Sequence, residues 1–222
     1  MRKFLLFILT VGMLVGLGLI LANHAFKKEP PVVLACIGDS ITEGSGLDNP
    51  AADSYPSQLQ RMLGDRYDVK NFGLSGRTAL NKGENPYMME DTYLQALESL
   101  PDIVTIKLGT NDSKPQCWVY KDEFESDLGQ MVDSFKYLPS DPDIFLCLPV
   151  PAFSDGWGID SLIIANEIIP AIRKVAREKG VAVIDLNTPM RAYPEDFPDG
   201  IHPSPSGARK IAEIIANAIT PV

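Results

Sequence analysis

Cysteine and histidine are scarce in this chain. Its 222 residues include three cysteines, Cys36, Cys117 and Cys147, and two histidines, His24 and His202. The cysteines show no metal-type spacing, and an odd number cannot close into a complete set of disulfides. Neither a zinc module nor a disulfide framework is therefore expected. Cys36 and Cys147 sit in apolar runs and read as small buried hydrophobes. Positive charge is also short: 20 Lys and Arg stand against 29 Asp and Glu, a formal net charge of −9. No basic patch offsets that balance, so nucleic acid and anionic membrane surfaces are not expected as partners. Internal repeats are absent, and no low-complexity tract follows the N-terminus.

Long hydrophobic runs are absent too, with one exception. Met1-Arg2-Lys3 precedes an uncharged apolar stretch over residues 4–22, and Lys27-Lys28 follows it. A bilayer span needs roughly 20 apolar residues, and the apolar core of a cleaved signal is usually about 7–15. Residues 1–28 therefore read as a signal peptide or an uncleaved N-terminal membrane anchor. The expectation is an exported, extracytoplasmic protein that meets a membrane only through this segment. Residues 29–222 are enough for one further domain.

Beyond the anchor, strands and helices alternate. PVVLACIG reads as a buried strand ended by Gly38. Further strands are expected at 67–72, 103–109, 143–151 and 181–186. A helix opens at Ser54-Tyr55-Pro56, with the proline in its first turn. Others are marked by Tyr93, Leu94, Leu97 and Leu100, by Phe124 to Phe135, by 162–179 with a kink or a division at Pro170, and by Ile211 to Ile219. Apolar strands alternating with helices indicate a parallel sheet covered on both faces. The longest irregular stretches, 74–90, 113–120, 153–159 and 188–206, all follow strands. They should gather at the carboxyl edge of the sheet, where such folds build their sites.

Four short polar groups fall in those places: GDSITEG (38–44), NFGLSGRT (71–78), GTND (109–112) and DGIHP (199–203). Each alone has an ordinary reading. A Gly-Asp-Ser after a strand makes a turn with a helix cap, Asn-Asp makes an Asx turn, and Asp-x-x-His makes a local hydrogen-bonded turn. Together they supply a reaction. A serine hydroxyl needs an adjacent base, and the base needs a group that fixes its tautomer. His202 is the one histidine outside the anchor region, and Asp199 lies three residues before it. Ser40, His202 and Asp199 can then act as nucleophile, base and orienting acid. The Ser40 and Gly76 backbone N–H groups and the Asn111 side-chain amide are candidate donors to an oxyanion. Asp39 is read as a cap or brace for the serine turn, Glu43 as a helix-start carboxylate, and Asp112 as a solvated loop carboxylate, with a contact to a substrate hydroxyl as the alternative.

These four groups resemble the conserved blocks of the SGNH hydrolases, also called the GDSL esterase/lipase superfamily. The Ser, Gly, Asn and His of that name match Ser40, Gly76, Asn111 and His202, in order, over roughly residues 32–220. Ile41 stands where the nickname has Leu. The resemblance implies an α/β fold, a three-layer α/β/α flavodoxin-like arrangement with a five-stranded parallel sheet. It also implies a serine esterase working through an acyl-enzyme, with no metal or organic cofactor. The G-x-S-x-G elbow of the α/β-hydrolases is missing.

The stretch GTNDSKPQCWVYKDEF is similar to a subgroup described as sialate or xylan O-acetylesterase-like. Tyr87, Trp118, Phe153 and Trp157 fall in loops expected over the site. Trp118 and Trp157 are candidate faces for a sugar ring, with local packing as the alternative. The expected substrate is thus a small-molecule or glycan ester, most simply an acetylated carbohydrate. A lysophospholipase or thioesterase acting on lipid-type esters is the second reading. A non-catalytic glycan- or lipid-binding domain is the third.

Overall fold

A computed structural model of the chain describes residues 29–220, so the expected signal or anchor segment at 1–28 lies outside it. Among the described residues, no helix is long and apolar enough to cross a membrane. Five strands alternate with the longer helices: β1 (Val32–Gly38), α1 (Tyr55–Leu63), β2 (Tyr67–Gly73), α2 (Asp91–Glu98), β3 (Ile103–Lys107), α3 (Phe124–Lys136), β4 (Asp143–Cys147), α4 (Ile169–Lys179), β5 (Ala182–Ile184) and α5 (Pro205–Ile219). All pairings are parallel, in the order β2-β1-β3-β4-β5.

Alternation along the strands sorts the core into two layers. From β1, Ala35 and Ile37 join Val104, Ile106, Ile144 and Leu146 beneath α2, α3 and α4. Leu34 and Cys36 join Ile103, Cys147 and Ile184 beneath α1 and α5. The result is the expected three-layer arrangement. The three cysteines are free and buried, and burial pushes the Cys36 thiol up to about 12, far from a reactive thiolate.

Several elements differ from the sequence reading: β3 ends at Lys107 and not at residue 109, and α2 ends at Glu98, which leaves Leu100 outside it. β4 ends at Cys147 and does not run on to residue 151, because Pro149 and Pro151 have no N–H to give a ladder. β5 is three residues long and pairs only Phe145 to Cys147. The helix expected over 162–179 begins at Ser161 and passes through a π-helical segment, Ile164–Ile168, before Pro170 opens α4. Widening by one residue per turn absorbs the missing proline N–H, so the helical chain runs on through a π-helical segment where a kink or a division was expected.

The sheet order reverses at β1. From there the chain goes to β2 on one side and reaches β3 on the other. The crevice beyond the carboxyl ends of β1 and β3 is the topological switch point, where open α/β sheets bind ligands. Ser40 follows β1, Gly76 follows β2 and Asn111 follows β3.

Candidate active site

Ser40 stands at the start of a single helical turn, Ser40–Glu43. Asp39 caps that turn, its Oδ1 accepting the Ile41 N–H at 3.0 Å. The turn lies directly on the end of β2. A Cβ at Gly73 would stand 2.1 Å from the Glu43 nitrogen and 2.5 Å from the Thr42 carbonyl carbon, so a side chain there is incompatible with the turn.

From the other end of the chain, the segment before α5 delivers the imidazole. His202 Nε2 is 3.0 Å from Ser40 Oγ, across 162 residues of sequence. Its Nδ1 is 2.6 Å from Asp199 Oδ2. Asp199 Oδ1 also accepts the N–H of His202 at 2.7 Å and of Ile201 at 2.8 Å. Burial alone would raise the Asp199 carboxyl, but the His202 side chain and those two N–H groups outweigh it and bring the group down to about 2. An ionised Asp199 requires a proton on Nδ1, which leaves Nε2 as the acceptor facing Ser40. Ser204 then caps α5, its Oγ accepting the Gly207 N–H, and a hydrogen bond to Asp196 fixes the cap in turn.

Asn111 Nδ2 donates to the Arg77 carbonyl at 3.1 Å. A primary amide has two N–H groups, so this bond orients Asn111 while leaving a donor for a ligand. Gly76 has φ 78°, and a Cβ there would meet only Asn85 Nδ2, at 3.8 Å. Backbone conformation, and not space, is what demands glycine at this position. Ser40, Gly76, Asn111, Asp199 and His202 all line one cavity of about 420 Å³, together with Lys114 and Trp157.

The profile of the GDSL-like lipase/acylhydrolase family matches residues 36–210. The chain belongs to that family. As a member of the GDSL-like acylhydrolases, the domain is a carboxylic ester hydrolase by class. It is 46% identical over 225 residues to an acetylxylan esterase of Xylanibacter ruminicola, covering 93% of this chain but 47% of the relative, so the chain spans about half of that protein's length. It is 30% identical over 199 residues to the isoamyl acetate-hydrolyzing esterase 1 homolog of Mus musculus, covering 80% of this chain and 76% of that one. Among solved structures, a carbohydrate acetylesterase from Sinorhizobium meliloti shares the fold at TM-score 0.68 and 22% identity, covering 85% of this chain and 98% of that one.

The aromatic expectations divide. Trp157 lines the cavity of this acylhydrolase domain, 72% exposed, with its ring centre 6.2 Å from that of His202 in an edge-on arrangement. Its backbone is left-handed at φ 62°, an uncommon and strained conformation for a bulky residue, held between Gly156 and Gly158. Trp118 is not at the site: it is buried against Phe124, and its indole N–H donates to Glu167 at 3.0 Å. Tyr87 is buried in the core with its hydroxyl on the Phe72 carbonyl, and Phe153 packs on Phe197. A loop aromatic can reach a site or plug the core, and spacing does not distinguish the two.

Of the carboxylates, Asp112 departs from expectation. Asp112 is not solvated. It is fully buried and accepts the N–H groups of Ala79 at 3.2 Å and Leu80 at 2.8 Å, pinning the loop that carries Gly76. Glu43 lies in the first turn of the short Ser40–Glu43 helix, as expected, and accepts from the hydroxyls of Ser45 and Ser75, both of which line the cavity. Ser75 and Lys114 lie within recognised stretches and Ser45 directly after one, but none of the three carried a signal of its own in the sequence.

Proposed function

We propose that this domain is an exported serine esterase that removes acetyl groups from a carbohydrate. The observation that carries it is the continuous hydrogen-bonded chain from Ser40 through His202 to Asp199, opening into a cavity of about 420 Å³. Two further facts support the substrate: the Xylanibacter relative is an acetylxylan esterase, and an exposed indole stands at the cavity mouth beside the imidazole. Export rests on the basic and then apolar N-terminal segment.

The chemistry follows from the geometry. His202 Nε2 takes the proton of Ser40 Oγ as that oxygen attacks the ester carbonyl. Charge then develops on the former carbonyl oxygen, where the Ser40 and Gly76 N–H groups and the Asn111 amide can meet it. His202 returns the proton to the departing sugar hydroxyl, leaving an acetyl-serine. Water attacks that ester by the same route in reverse, releasing acetate. Asp199 keeps its charge throughout and stabilises the imidazolium at each step.

A chain-length series of model esters, run beside acetylated xylan and acetylated sialic acid, tests this reading. Acetyl esters should be turned over fastest and acetate released from a glycan. Faster turnover of long-chain acyl esters or lysophospholipids would replace the carbohydrate reading with a lipid one. A wild type inert on every ester, with Ser40→Ala indistinguishable from it, would leave only a binding role.

A further inference from the structure

Beneath the nucleophile lies an ion pair that no step of the hydrolysis consumes. Asp39, after β1, and Lys107, the last residue of β3, are both fully buried and lie 68 residues apart in sequence. A buried ammonium is tolerated where its N–H groups find acceptors. Here all three do. Lys107 Nζ donates to Asp39 Oδ1 at 2.9 Å, to Asp39 Oδ2 at 3.0 Å and to Thr110 Oγ1 at 3.3 Å. A lysine has three donors, so its capacity is filled.

The positions of those acceptors are informative. Asp39 immediately precedes Ser40 and closes the nucleophile turn through the Ile41 N–H. Thr110 immediately precedes Asn111. One ammonium therefore joins the residue before the nucleophile to the residue before the oxyanion amide, two segments that leave the sheet from different strands. Stability does not account for the arrangement, since apolar side chains of similar volume commonly serve a buried site as well as an ion pair does. Nor is the pair needed to hold β1 against β3, because the ladder already pairs them from Leu34↔Ile103 to Gly38↔Lys107. What the ladder leaves unfixed is the spacing of the loops beyond it.

We infer that Lys107 is a positioning residue for the hydrolysis: its ammonium sets the separation of Ser40 from Asn111, and with it the fit of the oxyanion donors around the tetrahedral intermediate. Lys107 also offsets the Asp39 carboxylate, whose charge would otherwise oppose the negative oxygen forming beside Ser40. This rests on the serine-esterase reading, and the wild type separates the two. If the wild type hydrolyses no acetyl ester, that reading fails first; if it does and the variants match it, this inference fails alone.

The test is steady-state kinetics on a small acetyl ester together with thermal melting. Asp39→Asn with Lys107→Met removes both charges and leaves neither stranded. The double variant should melt near the wild type, with kcat lower by about 10- to 100-fold and KM within about threefold, as expected for a misplacement of about 1 Å. A folded double variant with wild-type kcat would overturn the inference. Thr110→Val and Thr110→Ser leave the ion pair intact and decide the matter should the double variant not fold. Thr110→Val should lower kcat without raising KM, and Thr110→Ser, which keeps the hydroxyl, should restore it. Wild-type kcat in Thr110→Val, or no recovery in Thr110→Ser, counts against Lys107 as a positioning group.

Discussion

A serine hydroxyl is a poor nucleophile while it holds its proton, and Ser40 has one imidazole within reach. Replacing Ser40 or His202 by alanine should each lower kcat by roughly 10⁴-fold or more, measured on an acetyl ester. Asp199→Ala should be roughly tenfold to a hundredfold milder, because the imidazole survives and loses only its orientation. A fluorophosphonate probe should label Ser40, and labelling of any other residue would remove its assigned role. Asn111→Ala deletes one oxyanion donor and should cost about 10²- to 10³-fold in kcat with little change in KM. Trp157→Ala should behave differently, raising KM on acetylated xylan several-fold while leaving kcat on a small acetyl ester within about twofold. Equal effects on both substrates would show that the indole does not hold a sugar. Ser40, Asp199 and His202 were legible because a lone histidine leaves little choice of base. Lys107 was not, since it hides in the apolar run IVTIKLG and its partner Asp39 lies just beyond the end of another strand. Asp112 was misread because a loop carboxylate looks solvated until the loop it braces is seen to cover it.

At the scale of the elements, the site depends on chain ends that touch. The close approach of Gly73 to the Ser40–Glu43 turn means that Gly73→Ala must push backbone, not a flexible side chain. Overpacking of this kind typically costs about 1–3 kcal/mol. Gly73→Ala should therefore lose both stability and kcat, whereas an alanine at Gly64, where a Cβ meets nothing within 4 Å, should leave kcat unchanged despite its left-handed φ of 66°. Equal kcat losses in the two variants would remove the close approach as the cause. The cap on α5 is a second such contact. Ser204→Ala removes the acceptor for Gly207 N–H and should lower stability by about 1 kcal/mol, read from chemical denaturation. Its activity should stay nearer the wild type than that of Gly73→Ala, because Asp199 holds His202 through bonds of its own. Helix and strand identities were readable from periodicity. The end of β4 was also readable, from Pro149 and Pro151, but the short β5 and the π-helical segment were not, because pairing partners and packing that a local pattern does not contain settle them.

For the molecule as a whole, the sheet order follows from alternation only in part. Five apolar strands separated by helices imply a parallel sheet, but the reversal at β1 that opens the crevice is a property of the closed fold. It was reached in the sequence through the resemblance of four blocks to a family. Two carboxyls shifted in opposite directions give opposing responses to pH: burial raises Asp112, whereas hydrogen bonds lower Asp199 against the effect of burial. Burial lifts the Asp112 carboxyl to about 6 from the ordinary 3.8, against the lowering effect of the Leu80 and Ala79 N–H groups and with a small further push from Asp39. Because its folded value lies above its unfolded one, the native state holds this proton more tightly. Asp112 is therefore most favourable below about pH 4, and stability is lost as pH rises from there to about 6. Asp199, held down at about 2, has the opposite sign: its contribution is present above 3.8 and is lost as pH falls toward 2. The two can be separated with Asp112→Asn, which cannot ionise. Between pH 4 and 6 the wild type should lose stability relative to this variant, by an amount on the order of 2–3 kcal/mol. Below pH 4 the two denaturation curves should fall together, since both retain Asp199. Parallel curves from pH 4 to 6 would mean that Asp112 is ionised throughout that range, and that the loop carrying Gly76 is braced by a charge and not by a carboxyl that can hold its proton.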